Sequence, residues 1–191
     1  MKYQDPAVKV TNPDEALKLL KDGNARFVAN NLVPTDYPEA LAKTAKQQSP
    51  FASILTCADS RCSPEIYFDQ GTGNVFVVRN AGNFADREAI ASFQFAAAVL
   101  GAQITVVVGH TECGAVYHAH NDTAGGGTLP AELTGVLNDL RPIVKDASDW
   151  NKDGLEVNVK AQVEALKKTL PEGHPVYGAI YDVGTGAVTW L

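Results

Sequence analysis

Gly109-His110-Thr111-Glu112-Cys113, taken with Cys57-Ala58-Asp59-Ser60-Arg61 upstream, is the most informative part of this chain. Each pentad follows an apolar run, Ser53-Ile54-Leu55-Thr56 before the first and Ile104-Thr105-Val106-Val107-Val108 before the second. Runs of that length and β-branched content, bounded by turn formers, predict buried strands. A cysteine and a His-x-x-Cys pair therefore emerge from strand ends. Two thiolates and one imidazole form a ligand set suited to zinc, and three protein ligands leave one coordination position open for chemistry.

Between and around the pentads, strands alternate with helices. A short helix is expected from Ser63-Pro64-Glu65 and a second strand over residues 74–79. A helix is expected over 85–100, with Ile90, Phe93, Ala97 and Leu100 on one face. A further helix is expected over 111–120, and amphipathic helices over 130–144 and 155–170. A loop occupies 122–127. A strand over 176–183 and a hairpin partner over 187–191 are joined by Gly184-Thr185-Gly186. At the other end, Asn12-Pro13-Asp14-Glu15 starts a helix, with a break at Gly23-Asn24, and residues 31–48 form an arm.

This alternation predicts an α/β fold: three layers, a mostly parallel sheet in the order 2-1-3-4 with an antiparallel edge strand, and helices on both faces. Residues 1–191 are one domain, with 1–48 an N-terminal helical arm and 49–191 the α/β core. In that order the first and third strands are neighbours at the switch point, where ligands bind beyond the carboxyl ends of strands. Cys57, ending the first strand, can then meet His110 and Cys113, which follow the third.

Bulk properties exclude other classes. A formal net charge of -6 and no basic patch argue against nucleic acid and anionic membranes as partners. The apolar stretch over 93–108 is interrupted by Gln94, Gly101 and Gln103, so no membrane span is expected, and the first residues lack a secretory signal's apolar core. Three cysteines do not make a disulfide framework, and a reducing cytoplasm is the expected location. Gly71-Thr72-Gly73 precedes a strand instead of following one, so it is a turn and not a dinucleotide fingerprint. Asn121-Asp122-Thr123 spells a glycosylation acceptor that has no bearing without secretion.

Cys57-x-Asp59-x-Arg61 and His110-x-x-Cys113 resemble the zinc signature of the β-class carbonic anhydrases. So do Phe68-Asp69-Gln70-Gly71 and the run Val75-Phe76-Val77-Val78-Arg79-Asn80-Ala81-Gly82-Asn83. The resemblance runs from about residue 48 to 115. It implies a lyase that interconverts carbon dioxide and bicarbonate by attack of zinc-bound hydroxide, with one Zn2+ per subunit on Cys57, His110 and Cys113. It also implies a homodimer or a tetramer of dimers, with Phe95 and the N-terminal arm near the subunit boundary. On the substrate side it implies Gln48 as a hydrogen-bonding partner of the substrate, Phe76 as part of an apolar slot and the backbone amide of Gly114 as a partner for bicarbonate. Phe95 stands where many members have tyrosine, so a polar contact is missing there.

Within this ligand set, a Cys2His zinc withdraws less charge from its water than a site of three histidines, so the water needs outside help. Asp59 and Arg61, two residues apart on a tight turn, can pair, leaving an ionised carboxylate aimed as an acceptor for the hydroxide proton. Asp59 can instead become a fourth zinc ligand in a closed state. Ile54 stands where a tryptophan accompanies the bicarbonate-locked state in the family, which favours the open form. Alternatives are a carbonyl sulfide or carbon disulfide hydrolase on the same zinc, and a non-catalytic zinc-stabilised binding module with Asp59, His118 or His120 closing the site. Cys62 is expected to pack as a small apolar residue, His118 and His120 to be exposed, and His174 to lie in a loop.

Overall fold

The structure, a computed structural model, describes residues 9–121 and 129–191. The expected loop at 122–127, most of the 121–123 acceptor triplet and the first residues of the chain lie outside the described residues. Five strands, β1 (Ala52–Cys57), β2 (Val75–Asn80), β3 (Ile104–His110), β4 (Val176–Tyr181) and β5 (Val188–Trp190), form one sheet in the order β2-β1-β3-β4-β5. β1 to β4 are parallel, and β5 runs antiparallel along one edge. The order and the antiparallel edge are those expected from the sequence.

Seven α-helices, α1 (Pro13–Val28), α2 (Tyr37–Thr44), α3 (Pro64–Tyr67), α4 (Arg87–Phe95), α5 (Gly114–His120), α6 (Ala131–Val144) and α7 (Asp153–Lys167), surround the sheet among the described residues. Every residue of β1 and β3 is buried, as central parallel strands covered on both sides should be. Alternate side chains serve opposite cores. Ile54, Val106 and Val108 pack with Leu20 of α1 and with Tyr67 and Phe68, whereas Leu55 and Val107 pack with Phe93 of α4 and Val159, Val163 and Leu166 of α7. A third cluster joins Val116, Leu137, Leu140, Val144 and Leu155 to Cys57 and Cys113. The polar residues inside β1 are satisfied: Ser53 Oγ lies 2.8 Å from Thr105 Oγ1, and Thr56 Oγ1 donates to the Val108 carbonyl at 3.1 Å.

Helix α1 begins as expected, with Asn12 Oδ1 accepting from the Asp14 amide at 2.8 Å and Pro13 in the first turn. It does not break at Gly23-Asn24. Both residues are buried within the helix. A Cβ at Gly23 would lie 1.7 Å from the Phe68 carbonyl oxygen, so the glycine marks a close approach to the segment after α3. Asn24 donates to the carbonyls of Tyr67 at 2.9 Å and Gly186 at 2.8 Å, and accepts from the Val188 amide at 2.9 Å. The side chain that signals a helix end is here a bolt between three segments.

Other boundaries shift. β3 continues to His110, so this residue ends the strand instead of following it, and the next helix starts only at Gly114. The helix expected over 85–100 is α4 followed by a π-helical turn over Ala96–Leu100, closed by Gly101 at φ +76°. Residues 31–48 contain the short helix α2, capped by Asp36 accepting from the Glu39 amide at 3.0 Å.

Candidate metal centre

β1 and β3 are adjacent, in register from Ala52↔Ile104 to Thr56↔Val108, so Cys57 and His110 leave the same end of the sheet side by side. Three residues beyond His110, Cys113 caps the N-terminus of α5. The ligand atoms of Cys57, His110 and Cys113 all lie within 4.8 Å of one another, and all three residues are buried. The structure thus brings together the three ligands expected from the sequence.

The donor chemistry fits a zinc ion. His110 Nδ1 lies 2.8 Å from the Thr111 carbonyl oxygen, which fixes its N–H there and, in the neutral ring that binds a metal, leaves Nε2 as the lone-pair nitrogen. That Nε2 is fully buried with no well-formed hydrogen bond. A buried imidazole nitrogen within 4.8 Å of two sulfurs and without a hydrogen-bond partner fits a cation site. Cys57 is pushed down to about 4, chiefly by a hydrogen bond from the Cys113 thiol, against burial and with help from His110 and the Asp59 and Gly82 amides. Cys113 is pushed up, by giving that hydrogen bond and by burial. Burial pulls the His110 imidazole down, but the sulfurs of Cys57 and Cys62 outweigh it and push it up to about 10. Without metal the cluster holds a thiolate beside an imidazolium, a charge distribution that a cation replaces.

Asp59 and Arg61 form a fork. Arg61 Nε donates to Asp59 Oδ1 at 2.9 Å and Nη2 to Oδ2 at 2.7 Å, while the Arg61 amide donates to Oδ1 at 2.9 Å. These bonds hold the Asp59 carboxyl well below the usual carboxylate range. Asp59 is not part of the converging ligand group. Arg79, near the end of β2, is a further residue of the site. Its Nη2 donates to the Asp59 carbonyl at 2.6 Å and its Nε to the Cys57 carbonyl at 3.2 Å, so it ties down the backbone of the first pentad. Its only sequence signal was an arginine at the end of an otherwise apolar strand.

The four substrate-side residues separate. Gly114 adjoins Cys113, and a Cβ there would meet nothing within 4 Å, so open space borders the ligands. Gln48 precedes β1 and borders a groove with Thr72, Val75 and Leu100. With a rise of about 3.3 Å per residue, the start of β1 lies about 16 Å from Cys57. Phe76 pairs with Ser53 at that far end, and Phe95 closes α4, which leads back to the start of β3. Within one chain these three do not meet the metal ligands.

The remaining candidates are ordinary structure. Cys62 is fully buried in the core against α1 and α3, as expected for a small apolar residue, while also bordering His110. His118 and His120 are half-buried instead of exposed: the His118 ring meets that of Tyr117, and His120 Nε2 lies 3.0 Å from the Ala147 carbonyl oxygen in the segment after α6.

Known proteins place this architecture. The carbonic anhydrase family model matches residues 52–188. A carbonic anhydrase of Mycolicibacterium smegmatis is 48% identical over 107 residues, covering 56% of this chain and 52% of that protein. Carbonic anhydrase 2 of Mycobacterium tuberculosis is 46% identical over 121 residues, covering 63% and 58%. The matched stretch thus spans little more than half the length of these relatives. Among solved structures, a Coccomyxa β-carbonic anhydrase in complex with acetazolamide superposes with a TM-score of 0.71 at 25% identity, over 95% of this chain and 87% of that one. Matched over most of its length and carrying the buried Cys57-His110-Cys113 cluster at the strand ends, the chain belongs to the β class of the carbonic anhydrase family.

Proposed function

We propose that this protein is a zinc-dependent carbonic anhydrase that hydrates carbon dioxide to bicarbonate and a proton, reversibly, with one Zn2+ per subunit on Cys57 Sγ, His110 Nε2 and Cys113 Sγ. The convergence of these three ligand atoms within 4.8 Å, beside an ionised and immobilised carboxylate, carries the reading. Zinc bound there supplies a Lewis acid that acidifies water toward neutral pH. Asp59 accepts the hydrogen bond of the attacking water or hydroxide and turns its lone pair toward carbon. Arg61 keeps that carboxylate charged and aimed, and Arg79 holds the turn. The Gly114 amide meets an oxygen of bicarbonate, in the open space beside Cys113.

The reading extends to assembly and location: a single zinc domain, residues 1–48 as arm and 49–191 as core, working in the cytoplasm as a homodimer or tetramer. Association through β2 is supported by its unpaired edge and by exposed Tyr37, Leu41, Ile66, Phe95 and Val99. Substrate roles for Gln48, Phe76 and Phe95 then require that they act at the site of a second copy. No helix among the described residues is long and apolar enough to cross a membrane.

The test is stopped-flow hydration of carbon dioxide by zinc-loaded protein, alongside sulfide release from carbonyl sulfide. Fast hydration with little sulfide release is expected. The reverse preference would make the protein a carbonyl sulfide hydrolase, and neither activity would leave a zinc-stabilised module.

A further inference from the structure

The two ligands supplied by the second pentad are joined through Glu112, which sits at φ +59°. Residues with a Cβ enter this left-handed region at a cost and stay there when neighbours hold them. One side chain, Asn151, holds both the backbone N–H and the carboxylate of Glu112. Its Oδ1 accepts from the Glu112 backbone N–H at 2.7 Å, and its Nδ2 donates to Glu112 Oε1 at 2.6 Å. A single amide thus grips both the backbone and the side chain of the strained residue.

Asn151 is itself anchored. Its backbone N–H donates to Asp149 Oδ1 at 2.8 Å, and the Asp149 N–H donates to Asp153 Oδ1 at 2.9 Å. Asp153 Oδ2 also receives the Ser148 N–H at 2.7 Å and the Ser148 hydroxyl at 3.0 Å. Asp153 opens α7, whose Leu155, Val159 and Leu166 are buried. The grip on Glu112 therefore leads back to a core helix. On its other side, the Glu112 carbonyl accepts from Arg61 Nη2 at 3.2 Å, the same nitrogen that holds Asp59.

We propose that Asn151 is a positioning residue of the metal centre, which rests on the zinc reading above. By keeping Glu112 left-handed it sets His110 and Cys113 at one spacing and keeps the Glu112 carbonyl turned toward Arg61. Metal ligands and carboxylate fork are thereby aligned by one residue remote in sequence. Released from Asn151, Glu112 relaxes toward negative φ, and the His110 and Cys113 donors lose their common focus.

Zinc loss to excess chromophoric chelator is followed in the full-length wild type, in Asn151→Ala, and in Asn151→Ala combined with Glu112→Gly. Asn151→Ala is expected to release zinc about tenfold faster or more. The double variant is expected to return to within about threefold of wild type, because glycine adopts positive φ unaided. A purely structural loss at Asn151 would not be rescued this way. Amide hydrogen exchange at Glu112 in metal-free protein is the second readout, with faster exchange expected in Asn151→Ala. Asn151→Asp, which keeps the acceptor for the Glu112 amide but sets a carboxylate against that of Glu112, replaces the alanine variant if the latter does not fold. Unchanged zinc release and unchanged exchange would overturn the proposal, as would a double variant no better than Asn151→Ala. A wild type that binds no zinc would end the zinc reading, while the exchange measurement still decides whether Asn151 holds Glu112.

Discussion

Arg61 holds Asp59 through two parallel bonds, 2.9 Å to one carboxylate oxygen and 2.7 Å to the other, while its own backbone amide adds a third. The pair lies two residues from the candidate metal ligand Cys57. It keeps the acceptor ionised and prevents it from turning freely. Asp59→Ala is expected to keep one zinc per chain and to lose about 100-fold or more in carbon dioxide hydration. Arg61→Lys cannot reproduce the fork and is expected to lose about tenfold. Stopped-flow rates with metal analysis of the same samples check both, and loss of zinc from Asp59→Ala would make Asp59 a structural residue.

Zinc binding is expected to strengthen as pH rises through neutrality. Metal-free Cys113 is pushed up by its hydrogen bond to Cys57 and by burial, and His110 is pushed up to about 10 by the neighbouring sulfurs against burial. Both are protonated at pH 7, and zinc must displace about two protons. Calorimetric titration in two buffers of different ionisation enthalpy counts them, and release of none would refute the thiolate–imidazolium description.

Asn24 links α1 to the Tyr67 carbonyl and to the turn before β5 through three bonds. Asn24→Ala strands a buried amide and two carbonyls, so a loss of about 2–4 kcal/mol is expected in urea unfolding. A change below about 0.5 kcal/mol would mean that water replaces the side chain.

His174 lies 2.9 Å from Thr105 Oγ1 through Nε2, and burial holds its imidazole below the ordinary value. The folded protein therefore keeps it neutral while the unfolded chain takes up a proton below about pH 6.5. Stability from this source is complete above that pH and is lost as pH falls through the folded value. His174→Gln should flatten the stability profile as pH falls below about 6.5, and parallel profiles for variant and wild type would exclude the effect.

Gln48 and Cys57 lie at opposite ends of β1, so a shared reaction needs two chains. Mixing inactive Cys57→Ala chains with impaired Gln48→Ala chains is expected to recover activity in the mixed particle, since one of its sites regains both side chains. No recovery after verified subunit exchange would remove Gln48 from the chemistry.

Local sequence was sufficient for the sheet and the ligand set. Apolar β-branched runs and turn residues carry strand signals within a few positions, and a Cys and a His-x-x-Cys at strand ends leave few topologies in which they meet. Local signals were insufficient wherever one side chain answered to a distant partner. Gly23-Asn24 looks the same as a helix break or as a contact with Phe68 and Tyr67, and only packing distinguishes the two. Nothing near Asn151 announces Glu112, because hydrogen bonds between remote segments leave no periodicity in the chain. The separation of Gln48, Phe76 and Phe95 from the ligands likewise follows from strand direction, which exists only once the strands have paired.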